Sequence, residues 1–418
     1  MGANFPAAPA DGEIFVMPNT TEFEYRGGVW RFKVPVSPLA GDAPFDGRIY
    51  GRKGSIWTPQ RRENRGWNRM VNATFLSNQD VGTAAQVCGL NTALWAADMW
   101  QFHNLGNNST VNIQLHADGA ERYAGLWGTP TTTSLPPNAY VMLLQNIEGY
   151  RLRDVLRTWT AGNNRAIGLA LRFQASASGP NAGSKHAVAI RAANGTRSFL
   201  STFVPDLNAK FFTIKVPPDT SGSFPIVTDN NAALGIYFTL AAGSDRTASQ
   251  SNQWLAGNLL RSSDTSQWTS VANPSFYISK VGLYADPGGY GEPPEWAPLD
   301  IAEDIIEIMR YYQRSGSRLA GVSYSGGPGV ALIGKLIGAP MRAAPAISIA
   351  GTGPLFLHSF TGGAGTGAQF SISSIAANNS TPDFIYLDVV ANGSTWGNGK
   401  FVMEYMGQTA HFVFDARI

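Results

Sequence analysis

The sequence predicts an all-β protein: small N-terminal hairpins, a large jelly-roll-like sandwich, a short helical neck and a smaller C-terminal β-sandwich. Three observations carry this expectation. Charged residues make up 14% of the 418, against ~25% in an ordinary soluble chain. Turn formers are abundant, with 46 Gly and 25 Pro, and aromatics reach 11%, including 11 Trp. Short alternating apolar runs fill most of the chain between Gly, Pro and Asn clusters, the pattern of half-buried strands. The same composition excludes several classes. An apolar fraction of 44% is too high for disorder, Gly has no collagen period, and the Ala/Glu/Lys/Leu richness of coiled coils is missing.

In chain order, the first 66 residues read as a stalk of hairpins. Tyr25-Arg26-Gly27-Gly28-Val29-Trp30 places an aromatic on each side of a Gly turn, and Tyr50 to Trp57 repeats the pattern around Gly54, so each pair of rings can meet across a hairpin. Residues 67–290 form the large sandwich, with strands expected at 141–148, 166–175, 186–192, 197–204, 210–216, 234–240 and 275–284. Residues 291–316 hold a linker and the neck. Pro298 and Asp300 mark the helix start, Glu303 completes a capping-box pattern, and Ile301, Ile305, Ile308, Met309 and Tyr312 share one helical face. That stripe either packs on its own domain or forms a trimeric neck, since Ile at both core positions favours higher oligomers. Residues 317–418 are the second sandwich, with strands at 330–337, 346–350, 355–359, 369–372, 384–390, 400–405 and 411–414.

Lys plus Arg is 31 and Asp plus Glu is 29, a formal charge of +2, so no net field attracts nucleic acid or an anionic membrane. The basic run Arg48, Arg52, Lys53, Arg61, Arg62, Arg65, Arg69 reads as a solvated linker rather than an anion-binding arm. Cys88 is the single cysteine, which excludes an intrachain disulfide. No apolar run reaches membrane-helix length, and residues 1–9 lack signal-peptide features. A bacterial cytosolic product released by lysis fits these signals.

Motifs for chemistry are sparse. The five His keep no zinc spacing to one another or to Cys88, and the pair His116/Asp118 reads as a strand end. Gly321-Val322-Ser323-Tyr324-Ser325 lacks the second glycine of a nucleophile elbow. The Gly-rich run 362–367 lacks the Lys-Ser/Thr pair of a phosphate loop. Asp/Asn loops suit structural calcium, but no spacing requires it, and no other cofactor is implied. No enzyme signature emerges. Trp254, Trp268 and Trp396 stand among Ser, Asn, Gln and Gly in expected loops, where a ring can cover sugar C–H groups while amides bond the hydroxyls. They are the candidate carbohydrate-binding residues; the alternative is that these rings plug the core.

Several segments together resemble a known family. Phe276-Tyr277-Ile278-Ser279-Lys280-Val281-Gly282-Leu283-Tyr284-Ala285-Asp286, followed by Ile308-Met309-Arg310-Tyr311-Tyr312-Gln313-Arg314, is similar to a sandwich-to-helix junction in bacteriophage tail-fibre and virion-spike proteins. The order of 151–175, 197–203, 211–216 and 253–257 resembles the carbohydrate-binding-module-like sandwich that precedes it. Residues 46–57 resemble the hairpin units near the fibre start, and Met341-Arg342-Ala343-Ala344-Pro345 a segment of the outer domain. The resemblance covers most of the chain in order. One departure is Ile308, where the family helix often has Cys. The resemblance implies a homotrimer attached to the virion through its N-terminus, with the C-terminal domain outward. It also implies binding to host surface polysaccharide without a cofactor, on a tail fibre or on a capsid spike such as those of gene transfer agents. A polysaccharide depolymerase and a ligand-free adaptor between capsid or tail and another fibre are the alternatives.

Overall fold

The structure is a computed structural model that describes residues 9–16, 22–32, 50–53, 56–59, 67–107, 109–118, 121–128, 135–297, 301–315, 320–323, 329–335, 341–350, 355–360, 369–377, 384–391, 401–406 and 411–417. It divides into two compact units, residues 1–63 and 64–418. The fold is all-β, as the sequence predicts.

In the first unit, strands Ile14–Val16, Glu22–Arg26 and Val29–Phe32 form a three-stranded sheet, and Tyr50–Lys53 pairs with Ile56–Pro59. Gly27 and Gly28 both take positive φ, +57° and +85°, the backbone a two-residue primed turn needs and one that only glycine adopts freely. This turn sets Tyr25 opposite Trp30, their ring centroids 5.3 Å apart. The second hairpin differs from expectation: its register sets Trp57 opposite Arg52 and Tyr50 opposite Pro59.

The second unit is built on a sandwich of two antiparallel sheets. One has six strands in the order Lys210–Val216, Gly168–Ser178, Ser275–Asp286, Glu121–Gly128, Val111–Asp118, Gln86–Cys88. The other has seven: Trp254–Ala256, Arg197–Phe203, His186–Ala192, Ala232–Ala242, Tyr140–Glu148, Trp100–Leu105, Thr92–Ala97. Alternate residues from each sheet, among them Ile113, Leu126, Phe173 and Ile278 against Phe102, Leu143, Ile190 and Phe238, meet in one continuous core. Non-directional burial of these side chains is the main driving force for the stacking. Trp100 lies on Phe75 at 4.8 Å and bonds the Asn72 carbonyl through its indole N–H, which removes the penalty of a buried donor.

Helix Gly149–Leu156 was not foreseen, although Leu152, Val155 and Leu156 carry its 3–4 spacing and are buried. Arg69, assigned to a solvated linker by sequence, is instead 4% exposed. It pairs with Asp154 at 2.7 Å and stacks over Trp67 at 4.1 Å. The neck helix spans Ile301–Met309, and its expected cap Asp300 lies outside the described residues. Asp304 and Ile308 face the sandwich, where Ile308 packs with Val71, Met99 and Tyr311. Ile301, Ile305 and Ile306 remain 64%, 41% and 54% exposed. Tyr312, expected on the helix face, begins strand Tyr312–Ser315, because the chain there pairs with His411–Asp415.

That pairing anchors the last region. Tyr312–Ser315, His411–Asp415 and Ala346–Ala350 form a three-stranded sheet. Buried Glu148 accepts bonds from Tyr311 Oη at 2.7 Å and Arg342 Nε at 2.6 Å. Arg417 stacks on Trp95 and on Tyr312 at 3.9 and 3.8 Å. Beyond this base, Ala320–Ser323, Gly329–Lys335, Phe384–Ala391, Gln369–Ala377, Leu355–Phe360 and Phe401–Met406 close into a barrel. The sequence anticipates most of these strands as a sandwich; closing the ring pairs both edges that two open sheets would leave bare.

Candidate functional site

Alternation fixes which side chains the six-stranded sheet turns away from the core. In Val111–Asp118 the inward residues are Val111, Ile113 and Leu115, so Asn112, Gln114 and His116 point out. In Glu121–Gly128, Ala124 and Leu126 point in, and Tyr123, Gly125 and Trp127 point out. In Ser275–Asp286, Phe276 and Ile278 point in, and Tyr277 and Ser279 point out. Register then assembles the outer surface. Tyr123 lies opposite His116, Trp127 opposite Asn112, and Gly125 between Gln114 and Tyr277.

The result is a half-buried cluster of four rings on the solvent side of the sheet. His116 and Tyr123 stack at 5.0 Å with planes 14° apart, and Tyr123 meets Tyr277 edge-on at 5.8 Å. Trp127 and Tyr277 lie 6.0 and 6.4 Å from the imidazole. The rings close over Gly125 because it has no side chain. A Cβ there would meet the His116 ring at 2.8 Å and Tyr277 Cδ1 at 3.3 Å. Burial pushes the His116 pKa down, which keeps the imidazole neutral near pH 7, and its Nε2 has no hydrogen-bond partner. Beside the rings stand Asn112 and Gln114 on one side, and Ser176, Gln174 and Ser279 on the other, with Ser279 Oγ donating to Gln174 Oε1 at 3.1 Å; at one end the register sets Asp118 opposite Glu121, two positions beyond His116 and Tyr123. Toward its far edge the same face becomes cationic, where Arg172 lies over Phe211 at 4.2 Å. Half-exposed rings with amides and hydroxyls in reach can cover the C–H faces of a saccharide and bond its hydroxyl groups.

The three sequence candidates lie elsewhere. Trp254 packs against Trp159, Phe224 and Phe199 at 5.4, 5.4 and 5.7 Å, and its N–H bonds the Pro217 carbonyl at 2.7 Å. Trp268 is 1% exposed and forms part of the core, against Gly128. Both therefore occupy the core positions that the sequence leaves as the alternative. Trp396 lies outside the described residues. Sequence reading missed the ring face, although a signal was present: Tyr123 and Trp127 stand four positions apart in a strand, and so on one face of it. His116 drew notice only as a metal ligand, and among the described residues no group of His, Cys, Asp and Glu could hold a metal ion.

No protein-family model matches the chain, and no curated protein does. Among solved structures it is similar to a family 11 carbohydrate-binding module from Clostridium thermocellum in complex with a β-1,3-1,4-mixed-linked tetrasaccharide, with 14% identity, 49% of this chain and 98% of that chain covered, and a TM-score of 0.25. It is also similar to TmCBM61 in complex with β-1,4-galactotriose, with 14% identity, 52% and 99% covered, and a TM-score of 0.22. A third likeness is to the enzymatically active domain of tailspike protein 4 of bacteriophage CBA120, with 11% identity, 52% of this chain and 21% of that chain covered, and a TM-score of 0.18. At these identities and scores, no residue or ligand of the present chain is assigned from the likenesses.

Proposed function

We propose that this chain is a non-enzymatic virion fibre or spike protein that adsorbs the particle to a bacterial surface polysaccharide. The observation that carries the glycan-binding part is the outer face of the six-stranded sheet, where His116, Tyr123, Trp127 and Tyr277 stand together with amides and hydroxyls beside them. A half-buried aromatic surface flanked by amides and hydroxyls suits saccharide rings, which present apolar C–H faces and a hydroxyl rim. The virion part is supported by the ordered segments that resemble tail-fibre and spike proteins, from the hairpin units to the junction at 276–314.

The chain acts as a homotrimer in this reading. Ile301, Ile305 and Ile306, left exposed by one chain, are the residues that further copies would cover. Three weak glycan sites on one particle-bound trimer engage a repeating polymer with about 10²–10⁴-fold greater avidity than one site, so a shallow face is sufficient. The N-terminal hairpins attach to the virion, and the barrel region points outward. The protein is made in the bacterial cytoplasm and released by lysis.

The test combines three measurements on the full chain. Wild type binds host polysaccharide in solution and releases no new reducing or unsaturated ends, whereas the double variant Tyr123→Ala/Tyr277→Ala stays folded and loses binding. Binding unchanged by the double variant sinks the assignment of the face, and new ends make the protein a depolymerase. Sedimentation reads the oligomer: a trimer is expected, with monomers from Ile301→Asp/Ile305→Asp. Gold-labelled antibody on intact particles, seen by electron microscopy, places the chain on head or tail, and absence from both overturns the virion assignment.

A further inference from the structure

The opposite outer face, on the seven-stranded sheet, is built differently. Val141, Leu143, Ile190 and Phe238 point into the main core. The alternate residues Met142, Leu144, Ala189 and Tyr237 point away from it and form a second apolar cluster roofed by Leu255, Leu259 and Leu260. At the margin of this roof stand two arginines. Arg191 lies over the Tyr237 ring at 4.1 Å and donates from Nη1 to Asn258 Oδ1. Arg246 lies 5.8 Å from the Tyr140 ring and donates from Nη1 to the Asn258 carbonyl at 3.4 Å. One residue, Asn258, therefore brings both guanidinium groups together.

Neither arginine is paired with a carboxylate among the described residues, in contrast to Arg197 with Asp219 at 2.6 Å and Arg69 with Asp154. Both leave Nε buried without a partner. His103 stacks on Tyr140 at 6.2 Å, and its Nδ1 is also unpartnered. Its pKa is pushed down, first by burial and then by the charge of Arg191, so the imidazole lies within electrostatic reach of that guanidinium. Two guanidinium groups that share Asn258, each with an unmet Nε and, among the described residues, no carboxylate beside it, are stabilised by an anion that joins them. A guanidinium fork matches the planar carboxylate and the phosphate oxygens, and the flanking Tyr140 and Tyr237 rings suit a saccharide.

We infer that Arg191, Arg246 and Asn258 form a second glycan site, specific for an anionic sugar residue. The inference rests on the reading of the chain as a glycan binder, but not on the aromatic face of the other sheet. Its chemistry is shared by carboxylated and phosphorylated sugars.

The experiment prints carboxylated, phosphorylated and neutral oligosaccharides on one array, with the carboxyl-reduced form of each uronate beside its parent, and probes it with the full chain. Retention of acidic members above their reduced forms is expected, with the carboxylated and phosphorylated arms naming the source. Titration of the retained oligosaccharide should then show weakening by about tenfold or more in Arg191→Gln and in Arg246→Gln, and a fall in affinity with added salt. Arg191→Lys, which keeps the charge but loses the fork, should weaken binding less than Arg191→Gln. Thermal unfolding of each variant confirms that it folds. The Tyr123→Ala/Tyr277→Ala variant, run in parallel, should keep acidic binding, so a failure of either face is distinguishable from a failure of the other. Equal retention of acidic and reduced members, no retention of any acidic member, or insensitivity to both arginine substitutions overturns the site.

Discussion

Two sets of rings in one sandwich do opposite things. The inner set, Trp100, Trp159 and Trp254, sends each indole N–H to a backbone carbonyl, at 3.0, 2.6 and 2.7 Å. Their faces meet other core rings, as where Trp159 lies edge-on to Phe224 at 4.8 Å. The outer set, Tyr123, Trp127, Tyr277 and His116, packs on itself and on small residues, with amides and hydroxyls beside it and solvent above. An aromatic residue embedded in a polar stretch is thus not thereby exposed. In a sheet, the parity of its position decides whether it holds the fold together or meets a ligand.

Trp254 separates the two sets of rings most sharply. Trp254→Ala should lower unfolding free energy by about 3–5 kcal/mol, from lost burial and the cavity left behind, while glycan binding per folded molecule stays at the wild-type level. Chemical denaturation and solution binding on the same sample check both halves. Lost binding with little loss of stability would move Trp254 from the inner set to the outer.

The histidines extend the contrast to pH. His186 is buried between Phe203 and Phe276, and burial lowers its pKa to about 4 against the opposing effect of the Asn181 backbone. Unfolded, the same group titrates near 6.5. Between those values this residue binds the proton in the unfolded chain and not in the folded one, so its contribution to stability falls as pH drops from 6.5 towards 4. The whole window is worth about 3 kcal/mol. Asp304, whose pKa burial raises to about 6, works in the opposite sense over part of this range, so the readout is a difference: wild type should lose more stability than His186→Met as pH falls from 6.5 to 4, measured by denaturation midpoints. His116, on the outer face, shifts in the same direction, so replacing it should change the slope far less than replacing His186. The reverse ranking would place the titrating core group elsewhere.

On the outer face the expected effect is on binding. Tyr123→Ala and Tyr277→Ala should each weaken a neutral glycan by about tenfold to a hundredfold, the range of residues that dominate an interface, with stability changed by under about 1 kcal/mol. Calorimetric titration with the host polysaccharide reads the first, and thermal unfolding the second.

Much of the sandwich was legible in the sequence because period-two alternation survives where one face is buried. His186–Ala192 and Lys210–Val216 have the expected ends. The strands between Gln86 and Gly128, which carry three of the four outer rings, have no expected range in the sequence reading, whereas two strands buried on both sides are expected within one or two residues of their ends. Tyr140–Glu148 and Ala232–Ala242 carry apolar residues on both faces, since the 244–262 segment roofs the second. The short helix Gly149–Leu156 follows a strand directly, with a non-capping Glu148 before it, so no start signal separates the two. The ring face is a product of register. Tyr123, His116 and Tyr277 are far apart in sequence or on different strands, and only the pairings Tyr123 with His116 and Gly125 with Tyr277 join them. Composition picked out loop tryptophans because it sees residue type and neighbours along the chain, whereas the face depends on neighbours across it.

The smallest expected effect falls on the residue that permits the outer cluster. Gly125→Ala adds a Cβ 2.8 Å from the imidazole of His116 and 3.3 Å from Tyr277, closer than van der Waals contact allows. Both neighbours are side chains on the solvent side of the sheet, and neither is backbone, so they can swing outward. The loss of stability should therefore stay near the lower end of an overpacking substitution, about 1 kcal/mol. Binding should suffer more than stability, because the stacking of His116 on Tyr123 and the edge contact of Tyr277 both depend on the rings closing over this position. A crystal structure of the variant should show His116 or Tyr277 rotated away while the inner rings keep their places. Neutral-glycan affinity lost without that rotation would mean that the face does not depend on its ring geometry. Affinity kept despite it would show that the sugar contacts the amides beside the rings.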